Sequence, residues 1–157
     1  MKNLFDMRDA TRELRILRSR SAYKSPFQVV GTYRLIDDGL RPEATVIIKT
    51  DRRKMHEAST GVGPVDALAN VLKKSLSSIF PGIDTVKLVD FSSGIRDSKS
   101  DTSAKVEVTI VFTNGNEVWS VVAISENINK ASFFALLDGF EYAVLLDKKL
   151  TDSLHAG

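Results

Sequence analysis

Ser59-Thr60-Gly61-Val62-Gly63-Pro64-Val65-Asp66-Ala67-Leu68 is the stretch on which the fold turns. Two glycines let the backbone bend where a side chain would clash. The proline that follows suits the first position of a helix. Beyond it runs an apolar stripe of Val65, Leu68, Ala69, Leu72 and Leu76. The segment therefore reads as a strand end, a tight turn and a helix start. A helix start exposes unsatisfied N–H groups and the positive end of the dipole, which favour a small anion such as a carboxylate. Taken alone, Gly-x-Gly-Pro also fits a plain turn joining two elements.

Working outward, the residues before this turn are strand-like. Gln28-Val29-Val30-Gly31-Thr32-Tyr33-Arg34-Leu35-Ile36 alternates imperfectly and stops at Asp37-Asp38-Gly39. Ala44-Thr45-Val46-Ile47-Ile48-Lys49 is apolar and β-branched, and a third strand returns over 55–60. The helix then runs from 64 to about 79 and ends at Pro81-Gly82. The order repeats. A strand is expected over 86–95, and residues 96–101 form a polar loop. Ala104-Lys105-Val106-Glu107-Val108-Thr109-Ile110 alternates cleanly, with one buried and one wet face. Asn114-Gly115 signals a hairpin, with its partner strand over 118–124. Ser125-Glu126-Asn127 opens a second helix containing Ile128, Ala131, Phe134 and Phe140. The two helix starts, Gly63 and Asn127, lie 64 residues apart. The expected fold is α+β: two βββα units (27–82 and 83–149) related by a pseudo-two-fold axis. Each leaves an apolar face to be covered by the other or by a second chain.

Residues 1–22 stand apart. Arg8, Arg12, Arg15, Arg18 and Arg20 alternate with Leu14, Ile16 and Leu17, and Asp6, Asp9 and Glu13 dilute the charge. The segment reads as a basic linker helix, or the tail of a preceding domain, broken at Ser25-Pro26. Residues 23–149 form the domain, and 150–157 a flexible tail. The composition sets further bounds. The chain has 157 residues, a net charge of +2, no cysteine and two histidines. That suits one domain, with no strong electrostatic case for nucleic acid or membrane and no disulfide or cysteine nucleophile. It also suits a cytoplasmic location. His56 and His155 have no companion at metal-ligand spacing. No nucleophile elbow, zinc helix or phosphate loop is present. A polar loop at Asp97-Ser98-Lys99 reads as a turn. The expectation is a binding or regulatory module with no catalytic residues, metal or cofactor.

Four blocks together resemble the C-terminal regulatory domain shared by 2-isopropylmalate synthase and citramalate synthase. They are Tyr23-Lys24-Ser25-Pro26-Phe27; Gly61 through Leu68; Leu88-Val89-Asp90-Phe91 with Asp97-Ser98-Lys99; and Trp119 through Ile128, leading to Ala131-Ser132. The last block, with Gly139-Phe140-Glu141-Tyr142, is most similar to the citramalate synthase branch. The resemblance implies a homodimer of two-unit domains that binds an end-product branched-chain amino acid, leucine or isoleucine. It also implies feedback on a catalytic barrel, fused or separate, that condenses acetyl-CoA with a 2-oxo acid. The barrel and its metal-binding residues have no counterpart in these residues.

By the same resemblance, Val65 and Asp66 match the family's effector contacts just inside the first helix, and Gly61 and Gly63 match the effector-site turn where substitution is expected to spoil feedback. Leu88, Phe91 and Ile95 match an apolar wall, with Phe91 standing where the family often has tyrosine. Thr102, Ala104 and Val106 match the neighbouring strand, and Ile124, Ser125 and Asn127 the segment before the second helix. Leu88, Ile95, Ala104 and Ile124 supply apolar surface for a branched side chain. The carboxylate is expected at N–H groups near 63–67 or near Asn127. Asp66 either accepts from the ammonium or simply favours the helix dipole. One methylene is worth only about 1–3 kcal/mol, so selectivity among branched amino acids is expected to be modest. Two other readings set against this one are a scaffold that keeps the dimer but has lost its ligand, and a nucleic-acid binder using the basic arm.

Overall fold

The computed structural model describes residues 6–96 and 104–156, with side chains as far as residue 148. It is an α+β fold of two sheets, each covered by one long helix. In the first unit the central strand is β4 (Glu43–Lys49), flanked on one edge by β5 (Lys54–Thr60). Its other edge carries two short pieces, β2 (Gln28–Val29) and β3 (Arg34–Ile36). These are the two ends of the single strand expected over 28–36. Gly31, at φ +73°, turns the chain out of the ladder in a conformation that favours glycine. The pairings Val29–Ile48 and Arg34–Thr45 take five steps on the outer strand against three on β4, so two residues loop out. Ala44, Val46 and Ile48 of β4 alternate inward and are buried against α2 (Pro64–Ser77).

A turn of 3₁₀ helix (Pro81–Thr85) leads to the second unit: β6 (Lys87–Arg96), β7 (Lys105–Thr113), β8 (Val118–Ser125) and α3 (Ile128–Ala156). The expected hairpin joins β7 to β8. Gly115 takes φ +94°, and the Asn114 side chain accepts from the N–H groups of Asn116 and Glu117 at 2.9 and 2.8 Å. The order of three strand positions and a helix is thus observed twice. Gly63 and Asn127 occupy equivalent N-cap positions, each carbonyl accepting from the residue four further on at 3.0 Å. α3 continues through the region where a flexible tail was expected. The polar loop expected over 96–101 lies almost wholly outside the described residues.

The core fills the space between the helices and the sheets. Phe112 stacks on Trp119 with centroids 5.9 Å apart, and Phe140 meets Phe112 edge-on at the same distance. Gly139 sits in the middle of α3 because a Cβ there would overlap the Phe112 ring. That close approach lets the Trp119 indole N–H reach the Gly139 carbonyl at 3.1 Å.

The N-terminal segment differs most from expectation. It does contain a helix, α1 (Ala10–Arg18), ending seven residues before the expected break at Ser25-Pro26. But α1 is docked rather than free. Ala10 and Leu14, one turn apart, are fully buried. β1 (Arg8–Asp9) adds a parallel fourth strand to the open edge of β8. The Thr11 hydroxyl then accepts from Val122 N at 2.8 Å, extending the cover of that edge. Two polar clusters fasten α1 to α3. Glu13 accepts from Arg8 and from the Tyr142 hydroxyl. Arg18 pairs with Asp138 at 2.7 Å and with the buried Glu141 at 3.3 Å, and Glu141 also accepts from Tyr23 and Ser25, each at 2.7 Å. Arg8 and Arg18, read from sequence as part of a basic linker helix, therefore serve as internal ties. Glu117 has one carboxylate oxygen buried, and its charge helps to keep Arg8 protonated.

Candidate functional site

The start of α2 is built by its two glycines in different ways. A Cβ on Gly61 would overlap the backbone nitrogen of Ala67 and stand 2.7 Å from Ala67 Cα. Gly61 is therefore a close-approach position, where the end of β5 lies against the first turn of the helix. Gly63 is the N-cap, in extended backbone, with nothing within 4 Å of where its Cβ would be. A glycine cap offers no side-chain acceptor. Pro64 has no N–H to satisfy. The first-turn N–H groups of Val65 and Asp66 thus lack a side-chain cap and face outward with the positive end of the dipole. Asp66 reaches back, accepting from Val62 N at 2.8 Å through Oδ2. One carboxylate oxygen is thereby committed to the turn, and among the described residues the other has no such bond.

The start of α3 is arranged differently. Asn127 caps it, its side-chain oxygen accepting from Lys130 N at 2.9 Å. Of the two helix starts expected to offer N–H groups to a carboxylate, only that of α2 has an N-cap without a side-chain acceptor.

Beside the α2 start runs β6, an edge strand exposed along its whole length. Paired residues of neighbouring strands point to one face. Leu88, Phe91, Ser93 and Ile95 pair with Phe112, Ile110, Val108 and Val106. They therefore continue the face that α3 covers on β7 and β8. Among the described residues no helix packs closely over β6 on that face, which leaves Leu88 at 38%, Phe91 at 37% and Ile95 at 78% exposure. Val89 sits at a break in register between Leu88 and Asp90, a bulge that re-aims the neighbouring side chains.

A cleft of about 520 Å³ opens between α2 and β6. Four of the expected site residues meet there: Val65 and Asp66 from the helix, Leu88 and Phe91 from the strand. Ala69, Asn70 and Lys73 from α2 and Phe140 from α3 join them and were not expected from sequence. The helical residues were within reach of a sequence argument. Positions 69, 70 and 73 are one and two turns beyond 65 and 66, on the same face. The Lys73 ammonium donates to the Val86 carbonyl at 2.9 Å and the Asn70 amide to the Thr60 carbonyl at 3.0 Å, so both span the cleft's ends.

The other expected residues gather elsewhere. Ile95, Val106 and Ser125 form one cross-strand row on the α3-facing side. Seven residues of strand separate this row from Leu88, roughly 20 Å. Ile124 pairs with Glu107 and so points to the opposite face from Ser125. Ala104 is exposed just before β7, and Asn127 is engaged as a cap. Thr102 lies outside the described residues, as do Asp97, Ser98 and Lys99. Leu88, Ile95, Ala104 and Ile124 therefore do not converge within one chain.

The strongest pKa shifts mark the ties between α1 and α3. Burial, then the hydrogen bond to Glu141, pushes the Tyr23 hydroxyl well above the usual tyrosine range; burial and Glu13 do the same to Tyr142. Burial raises Asp138 against the lowering effect of Arg18. Among the described residues, no three His, Asp or Glu side chains come together as a metal site needs, and no helix is long and apolar enough to cross a membrane.

Comparison with known proteins bears on the same region. The family described as the LeuA allosteric (dimerisation) domain matches residues 12–144. An (R)-citramalate synthase of Aquifex aeolicus is 35% identical over 151 residues, covering 92% of this chain and 28% of that protein. One from Geobacter sulfurreducens is 33% identical over 155 residues, covering 95% and 29%. One from Synechocystis is 32% identical over 151 residues, covering 90% and 27%. The chain thus spans under a third of the length of these relatives.

Proposed function

This chain belongs to the LeuA allosteric (dimerisation) domain family, and from that premise we propose that it is the effector-sensing, dimer-forming part of a citramalate synthase-type enzyme. Its effector is a branched-chain amino acid, isoleucine or leucine, bound in the cleft between α2 and β6. The observation that carries this reading is the juxtaposition of an uncapped helix start with an uncovered apolar strip. The Val65 and Asp66 N–H groups receive the carboxylate. The free oxygen of Asp66 accepts from the ammonium. Leu88 and Phe91 take the branched side chain.

The same geometry supports a second copy of the chain as the cover. Effector contacts at Ile95, Ala104, Val106 and Ile124 are too far from Leu88, or on the wrong face, to join one pocket within a single chain. Packing of two chains through the exposed face of β6 supplies a way for such residues to contribute to a shared site. Apolar surface at Leu88, Val89, Phe91 and Ile95 gives that packing its driving force. The catalytic part, which condenses acetyl-CoA with a 2-oxo acid in the cytoplasm, is read as fused or separate, and feedback acts through this domain.

Calorimetric titration of the dimer with isoleucine, leucine and valine tests the reading. Saturable heat with one or more of them is expected, together with a thermal upshift. A folded dimer that gives neither with any of the three has lost its ligand, and the sensing role falls. A chain that sediments as a monomer with β6 still exposed removes the dimer instead.

A further inference from the structure

A second opening, of about 360 Å³, lies between α1 and α3, away from the α2–β6 cleft. Ile16 and Leu17 form one wall, Leu145 and Leu146 the other. The size is within the range of small-ligand sites, about 300–1,000 Å³. Its polar groups are unequal in what they can still bind. The Glu13 carboxylate is occupied by the Arg8 guanidinium at 3.1 Å and by the Tyr142 hydroxyl. Arg8 also lies over the Tyr142 ring, 5.7 Å from its centroid, and its charge is answered by Glu13 and Glu117. Arg20 lines the opening too, is exposed, and has no ion-pair partner among the described residues. Among the described residues the opening therefore offers apolar walls, one cation without an ion pair, and a single carboxylate, that of Glu13, which is already engaged.

We propose that this opening is a second ligand site, for a small aliphatic monocarboxylate. The alkyl chain lies between the Ile16–Leu17 and Leu145–Leu146 walls, and the carboxylate pairs with Arg20. A guanidinium–carboxylate contact is charge-assisted and can be bidentate, which fixes the ligand's orientation. The same chemistry disfavours α-amino acids. Their ammonium would face Arg8 and Arg20 while Glu13 is already filled. The site thus differs in selectivity from the α2–β6 cleft, where Asp66 supplies a carboxylate oxygen. A bound ligand would touch both α1 and α3 and so add to the Glu13–Tyr142 and Arg18–Asp138 ties that hold the N-terminal segment down.

The test uses the intact chain with labelled isoleucine and leucine methyl groups. It is titrated with 4-methylpentanoate and, separately, with leucine, the same skeleton bearing an ammonium. Saturable shifts of the Ile16 and Leu17 methyls are expected with 4-methylpentanoate. Arg20→Ala should weaken this binding about tenfold, the loss expected for one charge-assisted hydrogen bond. Ile16→Asp should abolish it. Both positions are exposed, so neither change removes core packing. Phe91→Ala, in the other cleft, should leave it intact, and in that variant leucine should not move the Ile16 methyl. Shifts that never saturate, an unchanged affinity in Arg20→Ala, or leucine binding at Ile16 as tightly as 4-methylpentanoate would each overturn the proposal. The α2–β6 reading is followed on Leu88 in the same spectra, so the two can fail separately.

Discussion

Gly61 and Gly63 are two residues apart, yet the structure assigns them opposite responses to substitution. In Gly61→Ala the new methyl would overlap the Ala67 nitrogen and stand 2.7 Å from both Ala67 Cα and Asp66 C. Carbon atoms rest at about 3.5–4.0 Å, so the first turn of α2 must retreat by about 1 Å. Gly61 cannot move away instead, because its N–H is held by the Pro42 carbonyl at 3.0 Å. Overpacking of this kind costs about 1–3 kcal/mol, and with backbone on both sides the upper half of that range applies. In a chain of this size each kcal/mol lowers Tm by about 2–4 °C, which gives a fall of about 4–12 °C.

Gly63→Asp should do the reverse. Its backbone is extended and open to any residue, and the Cβ meets nothing. Aspartate caps a helix better than glycine by a few tenths of a kcal/mol, so Tm should hold or rise by about 1 °C. The introduced carboxylate, however, takes up the N–H groups that the proposed effector would use and places a negative charge beside that effector's carboxylate. At about 4 Å near a protein surface that repulsion reaches about 4 kcal/mol. Even a third of it weakens effector binding about tenfold. Thermal unfolding with and without isoleucine or leucine, paired with calorimetry, reads both quantities. If Gly61→Ala melts with the parent, the close-approach argument is wrong. If Gly63→Asp keeps both the melting point and the affinity, the carboxylate does not sit at the α2 start.

Three further outcomes follow from the packing. Gly139→Ala gains about 1 kcal/mol of helix propensity but drives a methyl into the Phe112 ring, so its urea midpoint should fall by the equivalent of about 1–2 kcal/mol; a rise would show that the ring has room. Glu141→Ala strips the acceptor from Tyr23, Ser25 and Arg18 and should cost about 2–3 kcal/mol, with faster hydrogen exchange in α1; parent-like exchange there would mean that Glu141 does not hold the segment. Tyr23 and Tyr142 have folded-state pKa values raised above the usual 10.0, so their contribution to stability is intact below pH 10 and is lost as pH rises through the folded values. Stability should therefore decline above pH 10, and Tyr23→Phe should flatten the decline; an unchanged slope would refute the assignment.

What the sequence made legible is what local chemistry controls. β4, β5, α2 and the β7–β8 hairpin follow from alternation, from Gly-x-Gly-Pro and from Asn114-Gly115, each of which acts within a few residues. The matching of Gly63 with Asn127 as helix starts also survived in the structure, because an N-cap is read from the residue type and its neighbours. Its chemistry was not equally visible. Only the fold shows that Asn127 satisfies its own helix while Gly63 leaves α2 open. The break at Gly31 was hidden because a strand alternates about equally well through a two-residue loop-out. The docking of α1 was hidden for another reason. Its Ala10–Leu14 stripe is short, and the acidic partners of Arg18, Asp138 and Glu141, lie about 120 positions away in sequence.

The candidate site divides along the same line. Val65 with Asp66, and Leu88 with Phe91, were named in local blocks, and the fold brings the two blocks to one cleft. Ile95, Val106 and Ser125 also form a real row, but at the far end of β6. Ile124 falls on the other face because β-strand side chains alternate and its pairing with Glu107 fixes which way it points. Face and distance are set by register, and no single-strand pattern encodes register. The apolar character of β6 sharpens the point. In sequence, Leu88, Phe91 and Ile95 look like any core strand. In the fold they pair with the buried Phe112 and Ile110 and the partly buried Val106, yet remain in the open. Among the described residues β6 is apolar on its core-facing side and uncovered, which is the observation behind the proposal that a second chain packs there. The proposed effector site is for that reason tested at a seam between two chains rather than inside one.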